Sequence, residues 1–274
     1  MLKQRIITAT ILLLIFLAAL FMLPAMGWAG LVALMVMQGA SEWTRLAGMQ
    51  GRQATIYWIL TLIAFIAIIL MSTNLSSQQH LLSQLLIYGL SVVFWVLIVP
   101  AWLMIGWKPR NPWLMGMVGW LLLLPTGLAM LDLRAENPWW LLAVMGLVWM
   151  ADISAYFAGR KFGKNKLAPS ISPGKTWEGV AGAMLGVSVY VVLVWSFSPY
   201  FSQREVLPLL LLASWWWVVL AIIGDLFESA IKRQAGVKDS GVLLPGHGGL
   251  LDRIDALTPT LPLAALAILL QRLS

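Results

Sequence analysis

The chain has 274 residues, of which 61% are hydrophobic and only 11% charged, with a net charge of +7 and no cysteine. Soluble domains carry roughly 25% charged residues, so the composition points to a multispanning membrane protein, although the length alone would allow one or two soluble domains. Disulfides and thiol chemistry are excluded, two histidines are too few for a zinc centre, and the positive balance suggests basic loops beside anionic lipid rather than nucleic acid.

The basic start Met1-Leu2-Lys3-Gln4-Arg5 followed by an apolar run resembles a signal peptide, but no small-residue cleavage site ends it. Formal charge is absent from Ile6 to Ser41, long enough for two spans of about 20 residues. Pro24 and Gly27 mark a hairpin, giving spans at 6–23 and 27–44, with Glu42 and Arg45 read as an interfacial pair. The uncharged stretch from Gln53 to Trp107 is split into two spans by the polar knot between Ser72 and His80. Further spans are expected at 113–131, 139–158, 178–197, 206–227 and 256–271, making nine. No period-2 pattern appears, so the expected fold is an all-α polytopic helical bundle. Sixteen tryptophans suit packing or lipid-facing positions and interfacial belts.

With the N-terminus in the cytoplasm, alternation of nine spans puts fifteen of the eighteen Lys and Arg residues on the cytoplasmic side and three (Arg134, Arg204, Arg272) on the other. That asymmetry obeys the positive-inside rule and implies an external C-terminus. The expected organisation is an N-terminal transmembrane region at 1–135, about five spans, and a catalytic transmembrane region at 136–274. The latter carries cytoplasmic loops at 159–177 and 228–255.

The first polar region begins with Asp152 and Tyr156, four apart on one helix face at the end of the sixth span. A basic turn follows (Arg160, Lys161, Lys164, Lys166), best read as anchoring for the three lysines. Next comes Ser172-Pro173-Gly174-Lys175-Thr176-Trp177-Glu178-Gly179. It is not a Walker loop, which would need Gly where Pro169 stands. Lys175 lies at the mouth of a helix, where free N–H groups and a cation can hold phosphate.

The second region, from Gly224 to Asp255, holds five of the eleven acids: Asp225, Glu228, Asp239, Asp252 and Asp255. It also carries Lys232, Arg233, Lys238 and Arg253. Charge in a membrane protein is costly and marks function by default. Asp225, Glu228, Ser229 and Lys232 share one helix face, and Asp252 and Asp255 would share another. The glycine-rich turn Pro245-Gly246-His247-Gly248-Gly249 lets the two approach a ligand. Carboxylates brought that close need a compensating cation, and hard oxygen ligands suit Mg²⁺ with substrate phosphates. His247 could be a base or a phosphate hydrogen-bond donor. The bland alternative is headgroup-zone pairing of Asp with Arg or Lys.

The pattern Ser229-x-x-Lys232-Arg233, Lys238-Asp239, His247-Gly248-Gly249, Asp252-Arg253-x-Asp255 resembles the signature of the phosphatidate cytidylyltransferases (CDP-diacylglycerol synthases). The 172–179 block is similar to another block of that family, with Gly174 where some members carry Lys. The resemblance is specific over roughly 150–257 and topological over 1–150. It implies a bacterial cytoplasmic-membrane enzyme whose active site faces the cytoplasm and which joins phosphatidate to CTP, releasing pyrophosphate. On that footing Asp225, Asp252 and Asp255 would hold Mg²⁺, with a second cation able to assist. Lys175, Lys232, Arg233, Lys238 and Arg253 would face phosphates; Ser172, Ser229, Asp239, His247, Gly248 and Gly249 would complete the substrate site, with Asp152, Tyr156 and Glu228 as orienters or secondary ligands. The expected partners are CTP, phosphatidate and the bilayer, and a homodimer is compatible with the sequence. A transporter would favour inverted repeats, and none is found.

Overall fold

The computed structural model describes residues 2–74, 76–197, 206–243 and 248–273, the side chains of 2–9, 72–74 and 77 excepted. Helices dominate. α1 (Leu2–Met22) and α2 (Ala25–Leu46) are separated at Pro24. A turn with left-handed Gly48 and Gly51 leads to α3 (Arg52–Asn74). α4 (Ser77–Val93) starts on a Ser76–Gln79 capping box and runs through a π-helical turn (Phe94–Ile98) into α5 (Val99–Ile105). α6 (Pro112–Glu136) and α7 (Pro138–Phe162) start alike: the Asn111 and Asn137 side chains accept from first-turn N–H groups, and a proline needing no partner follows each.

α6 lies at the centre. Its glycines face aromatic side chains at contact distance: a Cβ at Gly127 would sit 2.7 Å from both Phe65 and Val36, and one at Gly116 would sit 2.7 Å from Met49. The donors that approach α6 are satisfied by its carbonyls. Trp43 Nε1 donates to Met115 O (2.7 Å), Tyr57 OH to Gly116 O (3.1 Å) and Trp28 Nε1 to Met130 O (3.1 Å). Such pairing is obligatory where lipid offers no partners. Several of the tryptophans are therefore core residues, with Trp28, Trp43 and Trp95 buried.

α8 (Trp177–Phe197) packs on α7 through small residues: a Cβ at Gly182 would lie 3.0 Å from Ser154 O, closer than any ordinary contact. α9 (Leu207–Gln234), the four-residue α10 (Leu251–Ile254) and α11 (Leu257–Gln271) complete the order.

Among the described residues, six helical stretches are long and apolar enough to cross a membrane, and two shorter apolar helices accompany them. An all-α membrane architecture thus holds. Two features depart from the sequence reading. The connection between α7 and α8 folds into an antiparallel ribbon, β1 (Lys166–Ala168) with β2 (Ser172–Thr176), where no alternating pattern was legible. Backbone pairing over a few residues and polar side-chain contacts at its ends hold it, so hydropathy leaves no trace. α9 also continues to Gln234, so Glu228 to Arg233 are helical rather than loop. Apolar character ends before the helix does.

Candidate active site

The ends of α2 and α9, the C-terminal half of α7, the ribbon and residues 240–243 and 248–255 meet at one end of the bundle. Two glycines set the approach. A Cβ at Gly224 would lie 2.5 Å from the Asp255 carbonyl and 2.9 Å from the Pro259 ring, so the absence of a side chain lets α9 touch the α10–α11 junction. Gly248 takes φ +83°, and a Cβ there would meet Asp252 Oδ2 at 2.6 Å.

Two charged groupings result. The first is buried. Lys232 Nζ lies 2.6 Å from Asp252 Oδ1 and 3.1 Å from Glu228 Oε1, one helical turn away. Asp252 Oδ2 accepts from the Ser240 N–H (2.9 Å) and the Gly249 N–H (2.8 Å), with Ser240 Oγ at 3.0 Å. Burial alone would raise the Asp252 carboxyl, but Lys232 and these N–H groups outweigh it and hold it below the usual carboxylate range.

The second grouping is more open. Lys175 Nζ, at the end of the ribbon, pairs with Asp225 Oδ2 at 2.6 Å, and Ser229 Oγ donates to Asp225 Oδ1 at 3.3 Å. Asp152, exposed in the C-terminal half of α7, and Asp255, at the α10–α11 break, face Asp225. Burial drives the Asp255 carboxyl up, to about 8, and the charge of Asp225 adds to the shift, as does that of Asp152.

Asp225, Asp252 and Asp255 therefore occupy two environments. Asp252 is already engaged on both oxygens, while Asp255 feels the charges of Asp225 and Asp152 together with that of Lys232. Regular helix pauses after Ile254 and resumes at Leu257, but Asp255 keeps helical φ/ψ and its N–H donates to the Leu251 carbonyl at 3.0 Å, so Asp252 and Asp255 retain the i, i+3 relation expected of them. Among the described residues no three such side chains already converge as a metal cage.

The other expected residues fall around this centre. Ser172 is half-buried and pairs with Ala168 in the ribbon. Tyr156 is exposed and accepts from Arg160 at 3.1 Å. Arg233 is exposed and donates to the Val237 carbonyl (3.2 Å), while Lys238, Asp239 and Arg253 are exposed beyond it. His247 lies outside the described residues.

Glu42 was not recognised as a site residue. It is 0% exposed, not interfacial, and it does not pair with exposed Arg45. Its Oε1 accepts from Gln38 Nε2 (2.9 Å) and Leu250 N–H (2.8 Å); its Oε2 accepts from Ser240 Oγ (2.8 Å) and Leu251 N–H (2.9 Å). It clamps the segment carrying Asp252 from the far half of the chain. The available signal was a lone acid closing a long uncharged run.

The arrangement sets the Lys175 cation beside the carboxylates of Asp225, Asp255 and Asp152. The phosphatidate cytidylyltransferase of Pseudomonas aeruginosa is 42% identical to the chain over 97% of it and 96% of that protein. The one from Haemophilus influenzae is 36% identical over 96% of each. That of Thermotoga maritima is 42% identical over 48% of this chain and 49% of its own. Residues 3–271 match the cytidylyltransferase family as a whole, and the chain belongs to that family.

Proposed function

We propose that the protein transfers CMP from CTP to phosphatidate, giving CDP-diacylglycerol and pyrophosphate. The observation that carries the reading is the meeting of Lys175, Asp225 and Asp255 from three separate segments at the bundle end, in a chain so similar to named phosphatidate cytidylyltransferases. A phosphate monoester is largely ionised at neutral pH, its second pKa being about 6, so the nucleophile needs no strong base. What the protein supplies is position and charge neutralisation. Lys175 would leave Asp225 for a substrate phosphate. Lys232, braced by Glu228 and Asp252, would fix the segment that presents Gly248, Gly249 and Arg253.

Mg²⁺ fits the donor set. The oxygens are hard, and the Asp255 carboxyl, pushed up first by burial and then by the charge of Asp225, lies beside other carboxylates that a cation would neutralise. Asp225 and Asp255, with Asp152, would hold it, while Asp252 supports from behind. Bound there, the ion would neutralise triphosphate charge.

The finer topology belongs to the same reading: nine spans, with α1, α2 and α11 joining the six long apolar stretches, N-terminus and active site cytoplasmic, C-terminus outside, in the bacterial inner membrane. The charge bias supports it. Catalysis is assigned to 136–274, with Glu42 contributed by the first half. A homodimer is compatible with this reading and not required by it.

The test is pyrophosphate release by the purified protein in detergent. Release should need both CTP and phosphatidate and rise with Mg²⁺. Release that ignores phosphatidate, or none at all from folded protein, overturns the proposal.

A further inference from the structure

A cleft of about 530 Å³ opens between the end of α2, the connection from α5 to α6 and the end of α9. Arg45, Lys108, Arg110 and Arg233 line it, and no acid does. Among the described residues, Arg45, Lys108 and Arg110 form no salt bridge. The walls are tied together: Gln234 Nε2 donates to the Pro109 carbonyl at 2.6 Å, and Arg233 is fixed by its bond to Val237. A second cleft of about 280 Å³, also bounded by Arg45, runs past Lys238 to Ser240.

Two plainer explanations fall short. Cations at the C-terminal ends of α2 and α9 offset the helix dipoles, but each dipole end amounts to about half a charge. Together they balance about one of the four, and Lys108 and Arg110 stand on neither helix end. Positive-inside anchoring accounts for cations on this side but not for four of them walling one cleft from three separate segments.

We propose that this cleft is a second phosphate-binding site, outside the Asp225–Asp255 centre, that takes a phosphate-bearing anion. The chemistry is shared by two sources, a soluble polyphosphate and the headgroup of an anionic phospholipid. Arg45 sits one helical turn from Glu42, so an anion there lies beside the clamp on residues 240, 250 and 251. The site does not depend on the reaction proposed above.

The experiment has two arms and uses the full-length protein. In the first, inorganic pyrophosphate is titrated by calorimetry in detergent with EDTA, so that no divalent ion recruits it to the carboxylates. In the second, protein from nanodiscs of phosphatidylcholine with phosphatidylglycerol is released into the gas phase, and retained lipid is read by native mass spectrometry. The triple variant Arg45→Gln, Lys108→Gln, Arg110→Gln should lose at least tenfold of pyrophosphate affinity if the anion is soluble. It should lose most of its retained phosphatidylglycerol if the source is lipid. Single variants Lys108→Gln and Arg110→Gln, in an exposed connection, should each weaken the same arm about threefold and keep the proposal testable should the triple variant unfold. Raised salt should weaken the binding too. Wild-type behaviour of these variants in both arms overturns the proposal. CTP turnover, assayed separately, bears on the enzyme reading alone, so the two can fail independently.

Discussion

Glu42→Gln removes one charge and almost no volume from a fully buried site. One carboxylate oxygen becomes an amide that faces donors. If it stands at Oε2, Ser240 can rotate to donate to Asp252 instead, but the Leu251 N–H loses its acceptor. If it stands at Oε1, Leu250 N–H is orphaned. A buried unsatisfied donor costs about 1–3 kcal/mol, and hydrogen bonds to a charged group fall from about 1.5–3 to about 1 kcal/mol when the charge is lost. The sum is about 3–4 kcal/mol, centred on residues 250 and 251. At about 1.4 kcal/mol per tenfold, amide exchange of Leu250 and Leu251 should accelerate by about a hundredfold or more, with Asp252 and Lys232 losing register. Hydrogen exchange by mass spectrometry on a peptide covering 249–254 reads the first effect, and CTP turnover reads the second. Exchange and turnover both at wild-type levels would refute the clamp and return Glu42 to a passive role.

Gly224→Ala should lower the unfolding midpoint and abolish most turnover, because its methyl must displace the Asp255 carbonyl and the Pro259 ring; overpacking of this kind costs about 1–3 kcal/mol. Thermal unfolding in detergent checks it, and an unchanged midpoint with full activity would contradict the close approach. Lys175→Ala should raise the apparent KM for CTP or phosphatidate, lower kcat, or both, while the fold survives; normal steady-state kinetics would make the Lys175–Asp225 pair merely structural. Asp255 holds its proton up to about pH 8, so Mg²⁺ binding below that pH should release a proton and tighten as pH rises from 6 to 8, levelling off above. Calorimetry in buffers of different ionisation enthalpy measures that release, and pH-independent affinity would contradict it. Asp252 works in the opposite sense: its depressed carboxyl contributes stability that is present above about pH 4, the unfolded value, and is lost as pH falls through the folded one. Asp252→Asn should accordingly flatten the acid limb of the stability curve measured by thermal unfolding.

Much of this protein was legible along the chain because the deciding physics is local or one-dimensional. Hydropathy runs set the helices, and Asn-Pro pairs set the starts of α6 and α7. The i, i+4 relations of Asp225 with Ser229 and of Glu228 with Lys232 follow from helix geometry and were read correctly. Which acid meets which cation is a different matter. Glu42 meets Leu250 across 208 residues, and Lys175 meets Asp225 because a ribbon invisible to hydropathy turns back on α9. The occupation of both Asp252 oxygens depends on the N–H groups of Ser240 and Gly249 as well as on Lys232, and the approach of Asp225 to Asp255 depends on a missing side chain at Gly224. In a bundle of similar apolar helices many pairings bury comparable surface, so periodicity cannot rank them. Close packing at single glycines and the obligatory satisfaction of buried polar groups do.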